Sequence, residues 1–453
     1  MQKSSQIPDD ITNLTTSQTS VILTQMGLRG RALGLDKNNL KEKKEINKIK
    51  DEADGEAKKI YEKIIHAQKL ILEIRASEGF GRDEVVESFK SSDTVVPDCL
   101  LEEIEDIKTA ITQNKKEYTS RAQELYKIEN AIMDVIENTN QFVTNAGNKD
   151  LSELALSESG ASSIMIVGDG VRSLGNTPDY YADTIFTKVL PQNLEEFRDN
   201  PLDPEASAHN PEILRDYLNR IAKANEIEIS NLEIVLMDRA REAERLEILR
   251  QIQAQNPGME ITLIQDGTVA HALDANLGNL IEDDINFNNT IEGDTSTCRL
   301  QNNNNSQNKS NKHKVLMTVG AAPEGFFNLA VAGAFRDQGA LASLRIYSKN
   351  LNHDNQRNEL FNLSARYIFS KEEQDNIQRL RSHDYADILA GQKLFTQDDV
   401  EGGIQGSMAF ITHSGVFQVR GVYKENNNYL VNILRFGNFS DQSLAWYETK
   451  SIS

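Results

Sequence analysis

From residue 160 onward the chain alternates between two textures. Short runs rich in β-branched and apolar residues, at 164–167, 233–237, 260–264 and 315–319, are separated by stretches with helical spacing at 211–224, 240–254 and 324–338. A parallel strand pair needs a crossover long enough for a helix, so this alternation specifies an α/β (α+β) layered domain with at least partly parallel pairing. Closer to the C-terminus, 408–413, 416–423 and 429–434 read as strands of a meander, with turns at Ser414-Gly415 and at 426–428.

The N-terminal third reads differently. Residues 1–20 are rich in Ser, Thr and Gln, and 1–30 is expected to be a loose polar tail. Between 40 and 75 the apolar positions Ile46, Ile49, Ala53, Ala57, Ile60, Ile64, Ala67, Ile71 and Ile74 are three or four residues apart. That spacing predicts one long amphipathic helix or two in tandem. Leu100, Ile104, Ile107, Ile111, Tyr118, Ala122, Leu125 and Ile128 predict a second helical stretch, with Pro97 marking the break. The low-complexity run 301–310 has nothing to bury, and 284–313 is expected to be a flexible Asn-rich surface loop. The expected organisation is an N-terminal part over 31–185, an α/β part over 186–370, and a C-terminal helix and meander over 371–453.

Composition narrows the partners. The chain has 49 Lys+Arg against 69 Asp+Glu, a formal net charge of -20, which argues against nucleic acid and anionic membranes as ligands. A phosphorylated substrate is compatible with it, because a few arginines or bound divalent metals invert the field locally. No apolar run approaches a transmembrane length, and the polar start with Asp9-Asp10 does not resemble a secretory signal. Cys99 and Cys298 are too far apart in sequence to suggest a metal site or disulfide framework, so a reducing cytoplasm is the expected location. The seven histidines are scattered and read as ordinary surface or core residues.

Five segments carry candidate chemistry. In 134–139, Asp134 and Glu137 lie three residues apart, Thr139 follows, and Ala131, Ile132 and Met133 lead in. Hard oxygen ligands delivered by an apolar element suit Mg²⁺ or Mn²⁺ and a substrate phosphate. The glycine turn at 34–38 presents Asp36, and 77–81 presents Glu78 between glycines and a serine. Asp238-Arg239-Ala240-Arg241 directly follows a predicted strand, where two arginines can clamp a phosphate. In 319–325, Pro323-Glu324 opens a predicted helix and supplies either a metal ligand or an ordinary helix-start acid. Taken singly, each segment also fits a solvated turn or helix face.

Taken together and in order, the segments resemble the class II fructose-1,6-bisphosphatases. Residues 314–340 are similar to that family's Gly-Gly-Ala-Pro-Glu-Gly region, and 234–241 to its strand ending in Asp-Arg-Pro-Arg. Residues 264–270 resemble its Ser-Asp-Gly-Asp-Val-Ala, and 178–183 its Pro-Asp-x-Tyr-Met-Asp. Upstream, 134–139 resembles Asp-Pro-Leu-Glu-Gly-Thr, 34–38 Gly-Asp-Lys-Asn, and 77–79 Gly-Glu-Gly-Glu. The likeness is continuous from about 160 to 435 apart from the Asn-rich loop. Before 160 it is confined to the short acid motifs, separated by what read as helical insertions near 39–52 and 88–130.

The resemblance implies a layered α-β-α-β-α sugar-phosphatase fold of two sheet-containing subdomains, with additional long N-terminal helices. It implies that Asp36, Glu78, Asp134, Glu137 and Glu324 hold Mg²⁺ or Mn²⁺, with Thr139 and Glu78 orienting the attacking water. Tyr181, Arg239 and Arg241 would hold the distal phosphate. Asp266, Gly267 and Thr268 would meet the sugar hydroxyls, and Glu137, Asn138, Thr139 and Ala321 would also line the substrate. The implied reaction is hydrolysis of the 1-phosphate of fructose 1,6-bisphosphate, a step of gluconeogenesis, by a homo-oligomer. Several residues depart from the family pattern. Val135 and Asn138 replace its proline and glycine, Thr268 its second acid, Ala321 a glycine, Ala240 a proline, and Glu242 a basic residue. Two alternatives therefore stand beside it: a phosphatase for another sugar or inositol phosphate, and an inactive relative that uses its helical insertions to bind a partner.

Overall fold

A strand buried at every position needs cover on both faces, and this chain builds two sheets around such strands. The computed structural model describes residues 11–32, 40–67, 70–76, 94–95, 127–138, 154–155, 157–176, 180–278, 281–282, 312–348, 366–381, 383–439 and 442–452. The strands are β1 (Leu70–Ala76), β2 (Thr94–Val95), β3 (Lys127–Glu137), β4 (Ser162–Val167), β5 (Tyr181–Lys188), β6 (Leu232–Met237), β7 (Glu260–Ile264), β8 (Ile281–Glu282), β9 (His313–Ala321), β10 (Ala340–Tyr347), β11 (Phe395–Thr396), β12 (Gln405–Phe410), β13 (Tyr423–Glu425), β14 (Asn428–Phe439) and β15 (Gln442–Ile452). The principal helices are α1 (Ile11–Ala32), α2 (Leu40–Ala67), α3 (Asp169–Leu174), α4 (Pro211–Ala224), α5 (Ala243–Gln255), α6 (Thr268–Leu277), α7 (Ala322–Ala334) and α8 (Lys371–Leu380).

The first sheet runs β2-β1-β3-β4-β12-β14-β15-β8, with β13 beside β14; the second runs β11-β10-β5-β9-β6-β7. Both are mixed. In the first, β1–β3 and β15–β8 pair parallel, and in the second β6 is parallel to both β7 and β9. Period-2 alternation divides the apolar residues between layers. On β3 and β4, Ile132, Ile164 and Ile166 point into the central core, while Ala131, Met133, Met165 and Val167 meet Leu23 of α1 and Ala53, Ala57 and Tyr61 of α2. In the second sheet, Phe186, Val235 and Leu316 face the central core, while Ile185, Ile234, Leu236 and Met317 face α4 and α5. The result is an α-β-α-β-α stack, the expected layered class, with α6 and α7 in the middle.

Every residue of α7 except Glu324 is buried. A helix that is apolar all round has no solvent face, and here the two sheets supply cover on both sides. Small residues permit the approach. A Cβ on Gly325 would lie 2.5 Å from Leu344, and one on Gly333 would lie 2.3 Å from Val400.

The N-terminal expectations need correction. Residues 11–32 form a helix packed against α2, β12, β4 and β14, with most of its described side chains between 12 and 24 buried, instead of a tail. Three of its hydroxyls are satisfied inside the helix: Thr16, Ser20 and Thr24 each donate to the carbonyl four residues earlier at 2.8 Å. That pattern lets these three be buried with their donors used, and Thr16 also meets the Ser407 hydroxyl at 2.9 Å; the buried Thr19 hydroxyl has no partner among the described residues. The small residues Ser407 and Ala409 face α1 and make β12 a strand that this helix can approach closely.

The helix predicted over 40–75 ends at Ala67, and 70–76 is a strand. Ile71 and Ile74 continue the helical spacing by coincidence, while Leu72 and Ile74 show the true period of 2 by both being fully buried. Ile128 likewise lies in β3, not at a helix end. Most of the proposed 88–130 insertion and the 301–310 run fall outside the described residues; within the loop expected over 284–313, His313 already belongs to β9. The expected boundary at 185 cuts through β5, which belongs to the second sheet. Of the C-terminal strands, 416–423 is mostly turn, with Ser414 bridging to Val419, and the long strand β15 was not anticipated. Among the described residues no helix is long and apolar enough to cross a membrane.

Two consequences are measurable. Leu23 is fully buried in the outer core, so Leu23→Ala should cost about 2–5 kcal/mol in denaturant unfolding, whereas a tail residue would cost nothing. His271 on α6 and His313 at the start of β9 have pKa values pushed down to about 4, first by burial and also by the ammonium groups of Lys314 and Lys188 respectively. Asp274 acts on His271 in the opposite direction. The unfolded chain takes up these protons near pH 6.5 while the folded chain resists until about 4, so stability is full above 6.5 and falls as pH drops through that window. For fully buried His271 the loss between pH 7 and 5 is about 2 kcal/mol, read as a shift in urea midpoint that His271→Gln removes.

Candidate active site

β6, β7 and β9 run parallel, so their carboxyl ends open on the same edge of the second sheet. Three of the sequence motifs follow those ends directly: Asp238 to Arg241 after β6, Gln265 to Thr268 after β7, and Ala321 to Glu324 after β9. Crevices at such strand ends are where open α/β sheets bind ligands. Tyr181, the first residue of antiparallel β5, is in register with Ala321 and joins the same edge.

Hydrogen bonds tie these segments together. The Arg239 guanidinium donates to the Gln265 carbonyl at 2.7 Å and to Asp266 Oδ1 at 2.8 Å, forming an ion pair. Gln265 returns a bond to Asp238 Oδ2 at 2.8 Å. Arg241 Nε donates to the Val319 carbonyl at 2.7 Å, and its guanidinium lies 5.3 Å from the centre of the Tyr181 ring. Beneath Arg241, Glu242 and Arg245 are buried. Arg245 bonds Glu242 at 3.0 Å and both Asp183 oxygens at 2.8 and 2.6 Å, while Glu242 accepts from the Thr318 hydroxyl and the Val319 amide. Burial pushes the Glu242 carboxyl above its usual range against the pull of Arg245. Burial opposes the Arg245 charge too, but Asp183 and Glu242 outweigh it and hold the guanidinium protonated. Glu242, anomalous in sequence, is thus the counter-ion of an arginine three residues on. Sequence reading missed Arg245 and Ser159, because neither stands in a motif, and it gave no role to Asp183, which ends the 178–183 motif.

The opposite wall comes from the first sheet. Residues 134–137 are the end of β3, with a bulge: Asp134 is opposite Ile164 while Glu137 is opposite Ser162. One extra residue brings position 137 into the same phase of the pleat as position 134, which explains a three-residue spacing on a strand. Asn138 follows at φ +61 and is buried. This is the left-handed region in which glycine is favoured and asparagine tolerated, so Asn138 can occupy the place of the family's glycine. Its amide donates to Ser159 Oγ at 2.8 Å and to the Gly160 carbonyl at 3.1 Å. Ser159 in turn packs on Gly267, at φ +85, where a Cβ would lie 1.9 Å from the Ser159 hydroxyl oxygen. Gly267 is the N-cap of α6, and Thr268 in its first turn donates its hydroxyl to the Glu324 carboxylate.

Asp134 and Glu324 line one small cavity between the layers, otherwise walled by apolar side chains that include Ile164, Val269 and Phe327. Thus Tyr181, Arg239, Arg241, Asp266, Gly267, Thr268, Ala321 and Glu324 lie at one edge of the second sheet, Asp134 meets Glu324 at the cavity, and Asn138 reaches Gly267 through Ser159. Asp36, Glu78 and Thr139 lie outside the described residues, as does the side chain of Glu137. Among the described residues no group of three His, Cys, Asp or Glu converges as a metal-binding set. Asp134 and Glu324 carry hard carboxylate oxygens, a donor type that fits Mg²⁺ or Mn²⁺ and not a soft metal, and both residues touch this cavity, whose exposed lining is almost wholly apolar. A cleft of about 900 Å³ lies elsewhere, at the amino ends of β6 and β9.

Gly267→Ala should destabilise the fold by at least about 1–3 kcal/mol, since the new methyl collides with Ser159 in a backbone conformation that alanine resists. Asn138→Gly should cost about 1–2 kcal/mol through two lost hydrogen bonds, with less backbone strain than Asn138→Val. Thermal unfolding of the three variants checks the ranking. No protein-family model matches the chain, and no curated protein matches it significantly.

Proposed function

We propose that this protein is a metal-dependent phosphatase acting on a phosphorylated sugar, with fructose 1,6-bisphosphate as the first candidate substrate. The observation that carries the proposal is the meeting of Asp134 of β3 and Glu324 of α7, 190 residues apart in sequence, at one cavity, with Arg239 and Arg241 following β6 at the same end of the second sheet as Glu324. The resemblance of these motifs, in order, to those of the class II fructose-1,6-bisphosphatases supplies the reaction class.

In this reading Asp134 and Glu324 hold Mg²⁺ or Mn²⁺ together with Glu137, Asp36 and Glu78. When bound, the cation neutralises phosphate charge and acidifies a water for in-line attack on phosphorus. The chain's own groups orient the reactants. Thr268 fixes the Glu324 carboxylate by hydrogen bonding, and Arg241, held over Tyr181, presents its remaining N–H groups to the distal phosphate. Thr139, with Glu78, orients the water. Water adds to phosphorus, the sugar oxygen leaves and is protonated, and inorganic phosphate is released. The same reading makes the protein a cytoplasmic homo-oligomer.

A second reading is another sugar or inositol phosphate as substrate. Asp266, expected to bind sugar hydroxyls, is ion-paired with Arg239, and Thr268 turns to Glu324. Two groups expected to read the sugar are therefore engaged with the protein itself.

Purified protein with Mn²⁺ is expected to release phosphate from fructose 1,6-bisphosphate. Asp134→Asn and Glu324→Gln should each lower kcat by at least about a hundredfold, and Arg241→Ala should mainly raise KM. Release from other sugar or inositol phosphates but not from this one would select the second reading. Folded protein that releases phosphate from none of them at any Mn²⁺ concentration would overturn both.

A further inference from the structure

The outermost strands are β2 and β8 in the first sheet and β11 and β7 in the second. β2, β8 and β11 have two residues each, which is one way natural sheets blunt an edge that would otherwise recruit another strand. β7 is different. It has five residues, pairs with β6 without a bulge and contains no proline, and its single charged residue, Glu260, is held by Lys312 at 2.8 Å. Its other edge carries no strand among the described residues.

One hydrogen bond fixes which residues of β7 face outward. The Asp238 amide donates to the Ile264 carbonyl at 2.7 Å, so residue 264 turns its main-chain groups to β6. Alternation along a strand gives 262 and 260 the same direction and turns the N–H and C=O of Ile261 and Leu263 away from β6. The side chains of these two residues share the outer face. Ile261 packs against the core under α4 and α5, and Leu263 is 37% exposed, one of three exposed large apolar side chains among the described residues. Outward main-chain groups and an exposed apolar side chain thus coincide on one edge.

We propose that β7 is the contact through which a second copy of this chain binds, the two strands pairing antiparallel about a twofold axis at Thr262. The strand is self-complementary in this register. Ile261 of each copy lies opposite Leu263 of the other, each such pair exchanges two main-chain hydrogen bonds, and the two Thr262 residues meet on the axis. Glu260 lies across from Ile264, so no like charges oppose. A centre at Leu263 would set Glu260 against Asp266, and a centre at Ile261 would need the Met259 amide, which already bonds the Asn256 carbonyl at 2.8 Å. The pairing covers Leu263 and joins the second sheets of both copies into one. A strand of five residues is a small contact, and α5, which flanks β7 and exposes both Glu247 and Arg250, extends it. The inference gives the expected homo-oligomer an interface and needs none of the phosphatase chemistry, so association and phosphate release stand or fail separately.

Light scattering after size exclusion tests it at micromolar protein. The full chain of 50.8 kDa is expected to run as a dimer or a larger even-numbered oligomer. Leu263→Lys puts a charge at the contact, and Leu263→Pro removes an outward amide while leaving the bonds to β6 in place. Each should weaken association about tenfold or more and halve the mass, with the urea midpoint checking that the variant is folded. An antiparallel pair of the kind placed on the axis brings its Cα atoms to about 4.5 Å, within disulfide range, whereas the two Leu263 residues stand diagonally at about 7–8 Å. In a chain carrying Cys99→Ser and Cys298→Ser, Thr262→Cys should therefore form a disulfide between copies on mild oxidation, and Leu263→Cys should not. A monomeric wild-type chain, which leaves the edge to another partner or another segment, would overturn the proposal. So would an oligomer whose mass neither Leu263 variant lowers, or cross-linking at 263 and not at 262.

Discussion

The burial of α7 between two sheets is the constraint on which the rest of the molecule depends. Its cover comes from both sides, so neither sheet completes its inner core without it. The helix begins with no connecting loop: Ala321 is both the last residue of β9 and the N-cap of α7. Pro323 presets the first turn, and Gly325 packs on Leu344 closely enough to exclude any larger residue. Glu324 is therefore the one residue of the helix that is not buried, and it leaves a rigid first turn directly at the cavity shared with Asp134.

A second, electrostatic constraint supports the neighbouring edge. Arg245, Asp183 and Glu242 form a charge cluster with almost no solvent contact, and Glu242 reaches the Val319 amide two residues before the end of β9. Removing one partner of such a cluster leaves a buried charge uncompensated. The same interactions recast three of the sequence departures. Glu242 is the buried counter-ion of Arg245, Asn138 occupies a left-handed position and clamps Ser159, and Thr268 engages Glu324. Each is accommodated by a specific neighbour.

Much of the second sheet was legible because its strands are short, continuously apolar and bounded by helices of clear period, as with β6, β9 and α4. The motifs at Arg239, Asp266 and Glu324 were legible for the same reason, since they follow strands that could be recognised. The N-terminal third was not. Polarity does not mean exposure in α1, where the Thr16, Ser20 and Thr24 hydroxyls bond back into the helix and so lose little on burial. Helical spacing was carried past Ala67 into β1, because a few isoleucines satisfy both periods over so short a run. The bulge in β3 hid the fact that Asp134 and Glu137 lie on a strand.

The sequence by itself determined the class of fold and the candidate residues, since local period and the positions of carboxylates, arginines and glycines are properties of the chain. Only the tertiary structure decided which of them meet. Asp134 and Glu324 share a cavity because two sheets close on one helix, and Ser159 joins Asn138 to Gly267 because a left-handed glycine leaves room for its hydroxyl. The buried atoms Glu233 Oε2 and His271 Nδ1, which have no hydrogen-bond partner among the described residues, were likewise not legible in the sequence. Whether a buried polar group finds a partner depends on neighbours that are distant in the chain and adjacent only after the layers have packed.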